Sequence, residues 1–241
     1  MKILALDSTA VVATVALCED ERLLGEYTIA NGNTHSQTLL PMVESLLGHF
    51  SISTDEINLF AASAGPGSFT GVRIGAATVK GLAFATEKPC LGVSTLEALA
   101  YNLIGIDGLI CPVMNARRQQ VYTALFRAKD GKLERLMPDS AIAITELDKR
   151  LSDYDEPIML CGDGYDVTTA LLTHPIRPTP ERLRHQSAYS VAQVARMAYE
   201  SGVRTTDSEM VATYLRLSQA ERERLERQNQ PIKNSPKGIL I

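Results

Sequence analysis

Lys2-Ile3-Leu4-Ala5-Leu6-Asp7-Ser8-Thr9 opens the chain as an apolar run that stops on a carboxylate and two hydroxyls. No polar residue alternates within Ile3–Leu6, so the run reads as a strand buried on both faces. Two β-rich runs follow, Val11–Cys18 and Leu23–Ile29, set apart by Ser8-Thr9 and by Glu19-Asp20-Glu21-Arg22, which predicts a three-strand meander. The order returns after Gly105–Gly108. Leu109–Met114 ends in Asn115-Ala116, Val121–Phe126 follows, Asp130-Gly131 turns the chain, and Leu133–Met137 makes a third strand. This is a repeat of architecture without close repeat of sequence. It predicts an α/β chain built of two halves, each a mixed sheet flanked by helices.

Helices join these strands. Thr34 and Gln37 have the spacing of a capping box, and Leu39, Val43, Leu46, Leu47 and Phe50 recur at helical intervals around an internal Pro41. Leu40 and Met42 widen that apolar stripe to roughly 160°, beyond the ~100° of a single core contact. A partner surface and a deeply buried helix account for the width equally well. Next, Ile57–Ala62 reads as a buried strand running into Ser63-Ala64-Gly65-Pro66-Gly67-Ser68, with a helix from Phe69–Gly71 to about Thr86. That helix is nearly apolar all round and needs protein on most sides: Val72, Ala76, Val79 and Ala83 on one side, Ile74, Ala77, Gly81 and Ala85 on another. The remaining elements are a strand at Cys90–Val93, a helix from Ser94-Thr95, a helix at Thr145–Leu151, a strand at Pro157–Cys161, and helices at Val167–Leu172 and Ser187–Glu200. The polar stretch 219–241 reads as a mobile tail.

Composition removes several classes. The 241 residues are 45% hydrophobic and 22% charged, ordinary globular values, with a formal net charge of −4 and a pI near 5.6. Wholesale disorder and a strongly basic nucleic-acid binder are excluded, although a local basic patch is not. Aromatic residues are 5% and Trp is absent, a poor composition for a stacking platform. Cys18, Cys90, Cys111 and Cys161 form no CxxC pair, no basic-then-apolar leader opens the sequence, and no apolar run reaches the ~18–20 residues that span a bilayer. The expectation is a cytoplasmic protein with core thiols and no membrane contact.

Few residues are arranged for chemistry. Asp7, followed by Ser8, ends a hydrophobic strand where a carboxylate can hold a metal-bound water beside a phosphate; it can equally cap its own turn. The Gly65-Pro66-Gly67 loop can present amides to an anion at a helix N-terminus, or be a tight structural turn. It is not a Walker A loop, because Gly71 leads into Val72-Arg73. Gly162-Asp163-Gly164 has the same two readings. No two of His35, His49, His174 and His185 stand at zinc-pair spacing, and no GxSxG elbow or HExxH is present. His35 reads as a solvent-facing first-turn residue. Arg182, Arg184, Arg196 and Arg204 could make a weak RNA patch, but nearby acids dilute them and they read as solvated surface.

Several segments together resemble one family. These are Ile3–Thr9, His35-Ser36-Gln37-Thr38-Leu39-Leu40-Pro41, Gly65-Pro66-Gly67-Ser68-Phe69-Thr70-Gly71-Val72-Arg73-Ile74-Gly75, Arg117-Arg118 with Val121-Tyr122, and Tyr214-Leu215-Arg216. They resemble the TsaB (YeaZ) family from residue 1 to about 216, the Gly-Pro-Gly segment being the most specific. The resemblance implies a duplicated actin/Hsp70-like (ASKHA, ribonuclease H-like) fold, with an N-terminal half at 1–106 and a degenerate C-terminal half at 107–218.

It further implies a role in adding threonylcarbamoyl to adenosine 37 of tRNAs that read ANN codons. The chain is expected to be a non-catalytic subunit that pairs with a TsaD-type paralogue and a TsaE-type ATPase, and forms a homodimer when alone. It should meet tRNA through the complex and need no cofactor of its own, since ATP and the metal belong to the partners. The paralogue's HxxxH metal pair falls on Thr95 and Leu99 here, and neither is a useful ligand. The family's Asp-Ala-Arg is Asn115-Ala116-Arg117 in this chain. The expected nucleotide site is therefore vestigial, with Asp7, Ser8, Gly65, Gly67, Gly162 and Gly164 as candidates. The expected interface uses Leu40, Met42, Val43, Leu46, Val72, Ala76 and Val79. Competing readings are an independent nucleotide-hydrolysing or kinase-like enzyme and a peptidase.

Overall fold

The computed structural model describes residues 1–30 and 35–216. The Thr34 cap and the 219–241 tail lie outside the described residues. One five-stranded sheet contains β1 (Lys2–Asp7), β2 (Ala13–Glu19), β3 (Arg22–Ile29), β4 (Leu59–Ser63) and β5 (Cys90–Val93), in the order β3-β2-β1-β4-β5. The second contains β6 (Gly108–Asn115), β7 (Gln120–Lys129), β8 (Lys132–Ala143), β9 (Ile158–Cys161) and β10 (Ile176–Arg177), in the order β10-β9-β6-β7-β8. The two orders are one topology. In each half an antiparallel meander starts the sheet, and two strands then add parallel to the first strand on its other side.

Among the described residues six helices cover the sheets: α1 (His35–Phe50), α2 (Phe69–Thr86), α3 (Thr95–Tyr101), α4 (Ile144–Leu151), α5 (Tyr165–Thr169) and α6 (Ala188–Glu200). Period-two alternation along β1 explains their placement. Leu4 and Leu6 point to α1 and α2, in a core shared with Leu39, Val43, Leu46, Phe60 and Val79. Ile3 and Ala5 point the opposite way and pack on Val191, Ala192 and Ala195 of α6. With both faces covered, β1 carries no polar side chain between Ile3 and Leu6. The second sheet is covered likewise, by α3 through Leu96 and Leu99 on one face and by α4 through Ile144, Leu147 and Leu151 on the other.

Some boundaries differ from the sequence reading. The second strand starts at Ala13 because Val11 is 68% exposed in the turn. The strand expected at Leu133–Met137 runs on to Ala143, with register irregularities against β7. The helix expected at Val167–Leu172 is α5, ending at Thr169. α6 and Met210, which follow residue 106 in the chain, return to the first sheet, α6 packing on its Ile3/Ala5 face.

The expected interface residues are corrected most. Met42, Val43 and Leu46 of α1 and Val72, Ala76 and Val79 of α2 are all buried in the chain's own core. They fill the gap between helix and sheet and are unavailable to a partner. Leu40 alone of the seven is exposed, at 53%. The outward face of α2 is carried by Ala77, Gly81, Phe84 and Ala85. Among the described residues no helix is long and apolar enough to cross a membrane.

Candidate functional site: the cleft between the halves

The turns after β1, β4, β6 and β9 open on one cleft of about 890 Å³, the place where open α/β sheets bind ligands. Thr9–Val11 and Pro66–Thr70 line the first half, Met114–Arg117, Tyr122 and Asp163 the second, and Thr213–Arg216 run along the edge. Arg73 projects into it from the second turn of α2.

Most expected nucleotide-site residues lie behind this cleft and not on it. Asp7 is 1% exposed. Its Oδ1 accepts the Thr9 amide and hydroxyl, both at 2.7 Å, and its Oδ2 accepts the Ser63 hydroxyl at 2.5 Å. Both oxygens are thus engaged by protein, so Asp7 acts as the turn cap. Burial raises its pKa, against the lowering effect of the hydrogen bonds from Ser63 and Thr9. Ser8 is also buried, its hydroxyl donating to Gly71 O at 2.9 Å. His35, expected in solvent, is half-buried, with Nε2 2.8 Å from the Ala10 carbonyl.

The glycine loops are likewise committed to packing. A Cβ on Gly71 would stand 1.9 Å from Ser8 O, and one on Gly162 would stand 2.1 Å from Val113 O, so glycine is required for backbone to pass backbone. The Gly162 amide donates to Arg184 O at 2.6 Å and the Gly164 amide to Val113 O at 3.0 Å. Gly65 is buried, and next to it Thr213 N donates to Ala64 O at 2.7 Å. Only Gly67 of the candidate glycines touches the cleft.

Sequence reasoning gave no role in a site to Phe69, Arg73, Tyr214 or Arg216, which also line it. Phe69 and Tyr214 stack with centroids 4.6 Å apart, and the Arg73 guanidinium sits 3.9 Å from the Phe69 centroid, with Nε donating to the Tyr214 hydroxyl at 3.2 Å. Arg216 donates to Ala116 O at 2.6 Å, so residues 213–216 tie the first half to the second. Arg117, Arg118 and Gln119 occupy consecutive left-handed conformations, with φ of 62°, 55° and 57°. Each costs on the order of 1 kcal/mol. The turn is held by Asn115 Oδ1, which accepts the Arg117 amide at 2.8 Å, and by Ile144 N donating to Gln119 O at 3.0 Å. Asn115 is a turn-forming acceptor, and its own main-chain amide donates to Asp163 Oδ1 at 3.0 Å. A signal was present: Arg73, Arg117 and Arg216 all sit in the segments that carry the family resemblance.

The family model for TsaD, a tRNA N6-adenosine threonylcarbamoyltransferase, matches residues 28–230. The chain is 37% identical over 162 residues to the tRNA threonylcarbamoyladenosine biosynthesis protein TsaB of Bacillus subtilis, a match covering 67% of this chain and 71% of that protein. The chain belongs to the TsaB family. TsaB of Escherichia coli is 37% identical over 133 residues, covering 54% of this chain and 57% of its own length. Among solved structures, YeaZ from Pseudomonas aeruginosa superposes with a TM-score of 0.76 at 26% identity, over 89% of this chain and 99% of that one. A second Pseudomonas aeruginosa structure, described as an uncharacterized protein with similarity to peptidase YEAZ, gives 0.79 at 27% identity with the same coverage. The fold of this TsaB-family chain is accordingly that of the YeaZ structures, two α/β halves of one topology.

Proposed function

We propose that the chain is the non-transferase subunit of a machinery that adds threonylcarbamoyl to N6 of adenosine 37 in tRNAs reading ANN codons. It pairs through its N-terminal half with a TsaD-type paralogue, supports the action of a TsaE-type ATPase, and self-associates when the paralogue is missing. One observation carries this reading. The fold is that of the transferase family, yet the two positions expected to hold the paralogue's metal-binding histidines are Thr95 and Leu99, both fully buried on α3. A side chain sealed in the core and lacking a nitrogen ligand supports no metal chemistry. The engagement of both Asp7 oxygens points the same way, against a nucleotide-hydrolysing enzyme.

The pairing surface follows from exposure. Leu40 on α1 and Ala77, Gly81 and Phe84 on α2 are apolar or small and face outward, with Phe84 74% exposed. Small residues let a partner helix approach closely, and a large ring supplies buried area. Reconstitution of threonylcarbamoyl transfer with paralogue, ATPase, carbamoyl donor and tRNA tests the reading. Modification should require this chain, and ATP turnover by the chain alone should be absent. Ala77→Glu, at an exposed site, should leave folding intact and abolish both self-association and co-elution with the paralogue. Transfer that proceeds equally well without the chain overturns the proposal.

A further inference from the structure

The cleft carries a charge arrangement that the pairing role leaves unexplained. Arg127, Arg135, Arg150 and Arg196 each form ion pairs with acids. Among the described residues, Arg73, Arg117 and Arg216 at the cleft form none. On a chain of net charge −4, three guanidinium groups without acid partners gathered on one cleft make a local anion trap. Among the described residues, Asp163 is the only acid lining it. Two tyrosines also line it: Tyr122, half-buried, and Tyr214, 41% exposed, with Phe69 stacked on it and the Arg73 guanidinium 5.8 Å from its ring centroid.

We infer that this cleft binds a single strand of RNA, with Arg73, Arg117 and Arg216 taking phosphates and Tyr122 and Tyr214 offering ring faces to bases. The inference deepens the tRNA-modification reading and rests on it for the source of the RNA. A strand suits the cleft better than a free nucleotide for two reasons. Polyphosphate sites in α/β folds use main-chain amides at glycine loops, and here the Gly162 and Gly164 amides are already bonded to protein carbonyls. The carboxylate at the end of β1 is turned inward and engaged by Thr9 and Ser63. In the first half the Ser68 amide is likewise taken, by Thr9 O at 2.7 Å, and guanidinium groups beside aromatic rings are how proteins hold single strands. The arginines also span the cleft: Arg73 belongs to the first half, while Arg117 is on the second and Arg216 is anchored there. That spread fits successive phosphates along a strand. The left-handed turn fixes where Arg117 emerges, so the strain there serves positioning.

The test is fluorescence anisotropy of the full-length chain with a labelled single-stranded oligoribonucleotide, its duplex, and ATP with either EDTA or Mg²⁺. The strand should bind in a salt-dependent way. Arg73→Gln, Arg117→Gln and Arg216→Gln should each weaken binding several-fold and flatten the log–log salt dependence by about 0.7 per arginine removed. Arg150→Gln, whose arginine is paired with Glu146 away from the cleft, should change nothing. Arg117→Gln decides the matter if Arg73→Gln disturbs the Phe69 stack. Absence of strand binding, tighter binding of the duplex, indifference to the three substitutions, or arginine-dependent binding of ATP in place of the strand each overturn the inference. Strand binding that persists while the reconstituted modification proves independent of the chain leaves the cleft assignment standing and removes the role proposed for it.

Discussion

Ser63 Oγ donates to Asp7 Oδ2 at 2.5 Å, joining the ends of two parallel strands, β1 and β4, in a position closed to solvent. With the Thr9 amide and hydroxyl on the other oxygen, a carboxylate that could have faced a ligand instead fixes the turn. The same turn seats α2, because Ser8 and Thr9 are the backbone against which Gly71 and Gly67 pack.

Asp7 should therefore govern stability in a pH-dependent way. Its folded pKa is raised by burial, so the folded state holds the proton more tightly than the unfolded chain. Stability from this group is greatest below the ordinary carboxylate pKa of ~3.9 and declines as pH rises from there through the raised folded value. Asp7→Asn keeps an acceptor for Thr9 and removes the charge. Urea melts across pH should show that the Asn variant lacks this part of the decline. Asp7→Ala leaves the Ser63 and Thr9 donors unsatisfied and should cost about 1–3 kcal/mol at low pH, a cost that shrinks as pH rises through the raised folded value.

The glycines of α2 should separate cleanly by substitution. Gly71→Ala drives a Cβ into Ser8 O, 1.9 Å away, and the backbone must shift. Gly81 has nothing within 4 Å of its notional Cβ. Gly81→Ala should stabilise the isolated chain by about 0.4–1 kcal/mol, whereas Gly71→Ala should abolish cooperative thermal unfolding. Equal effects at the two positions would contradict the packing described.

Glu26 is an acid placed at the start of α6. Its Oε1 accepts the Ser187 hydroxyl at 2.9 Å and the Tyr189 amide at 3.1 Å, tying β3 to the helix that covers the first sheet. A negative charge at a helix N-terminus is favourable and the bonds are partly buried. Glu26→Ala should lower stability by about 1–2 kcal/mol, and amide hydrogen exchange should rise first in α6.

The four thiols give a chemical readout of packing. Cys18, Cys90, Cys111 and Cys161 are buried and free, and burial pushes Cys18 and Cys111 up to about 12 and Cys90 up to about 11, with Cys161 raised further in the same direction. Thiolate is the reactive form. Iodoacetamide at neutral pH should label none of the four in the native chain and all four in urea, read by intact mass. Rapid labelling of any one before unfolding would show that its part of the core opens locally.

The halves were legible because strand periodicity and strand order are local properties. Lys2–Asp7 and Leu109–Met114 announce two equivalent starts, and buried-on-both-faces strands leave a continuous apolar run that survives in one dimension. The Gly-Pro-Gly segment was legible too, since close backbone approach tolerates no Cβ. The faces of α1 and α2 were not. Both sides of α2 are apolar in sequence, and only the position of the first sheet assigns Val72, Ala76 and Val79 to the core and Ala77, Gly81 and Phe84 to the surface.

The sequence by itself determined the duplicated α/β architecture, the family, and the buried state of the cysteines, because each depends on residue type and short-range spacing. The tertiary structure alone decided that Asp7 faces inward, that α6 crosses back to the first sheet, and that a chain poor in aromatic residues gathers Phe69, Tyr122 and Tyr214 with Arg73, Arg117 and Arg216 at one cleft. The physical reason is distance along the chain. Arg73 and Tyr214 are hydrogen-bonded across 141 positions, and charge or stacking that is assembled from such remote segments leaves no periodic trace in the sequence that encodes it.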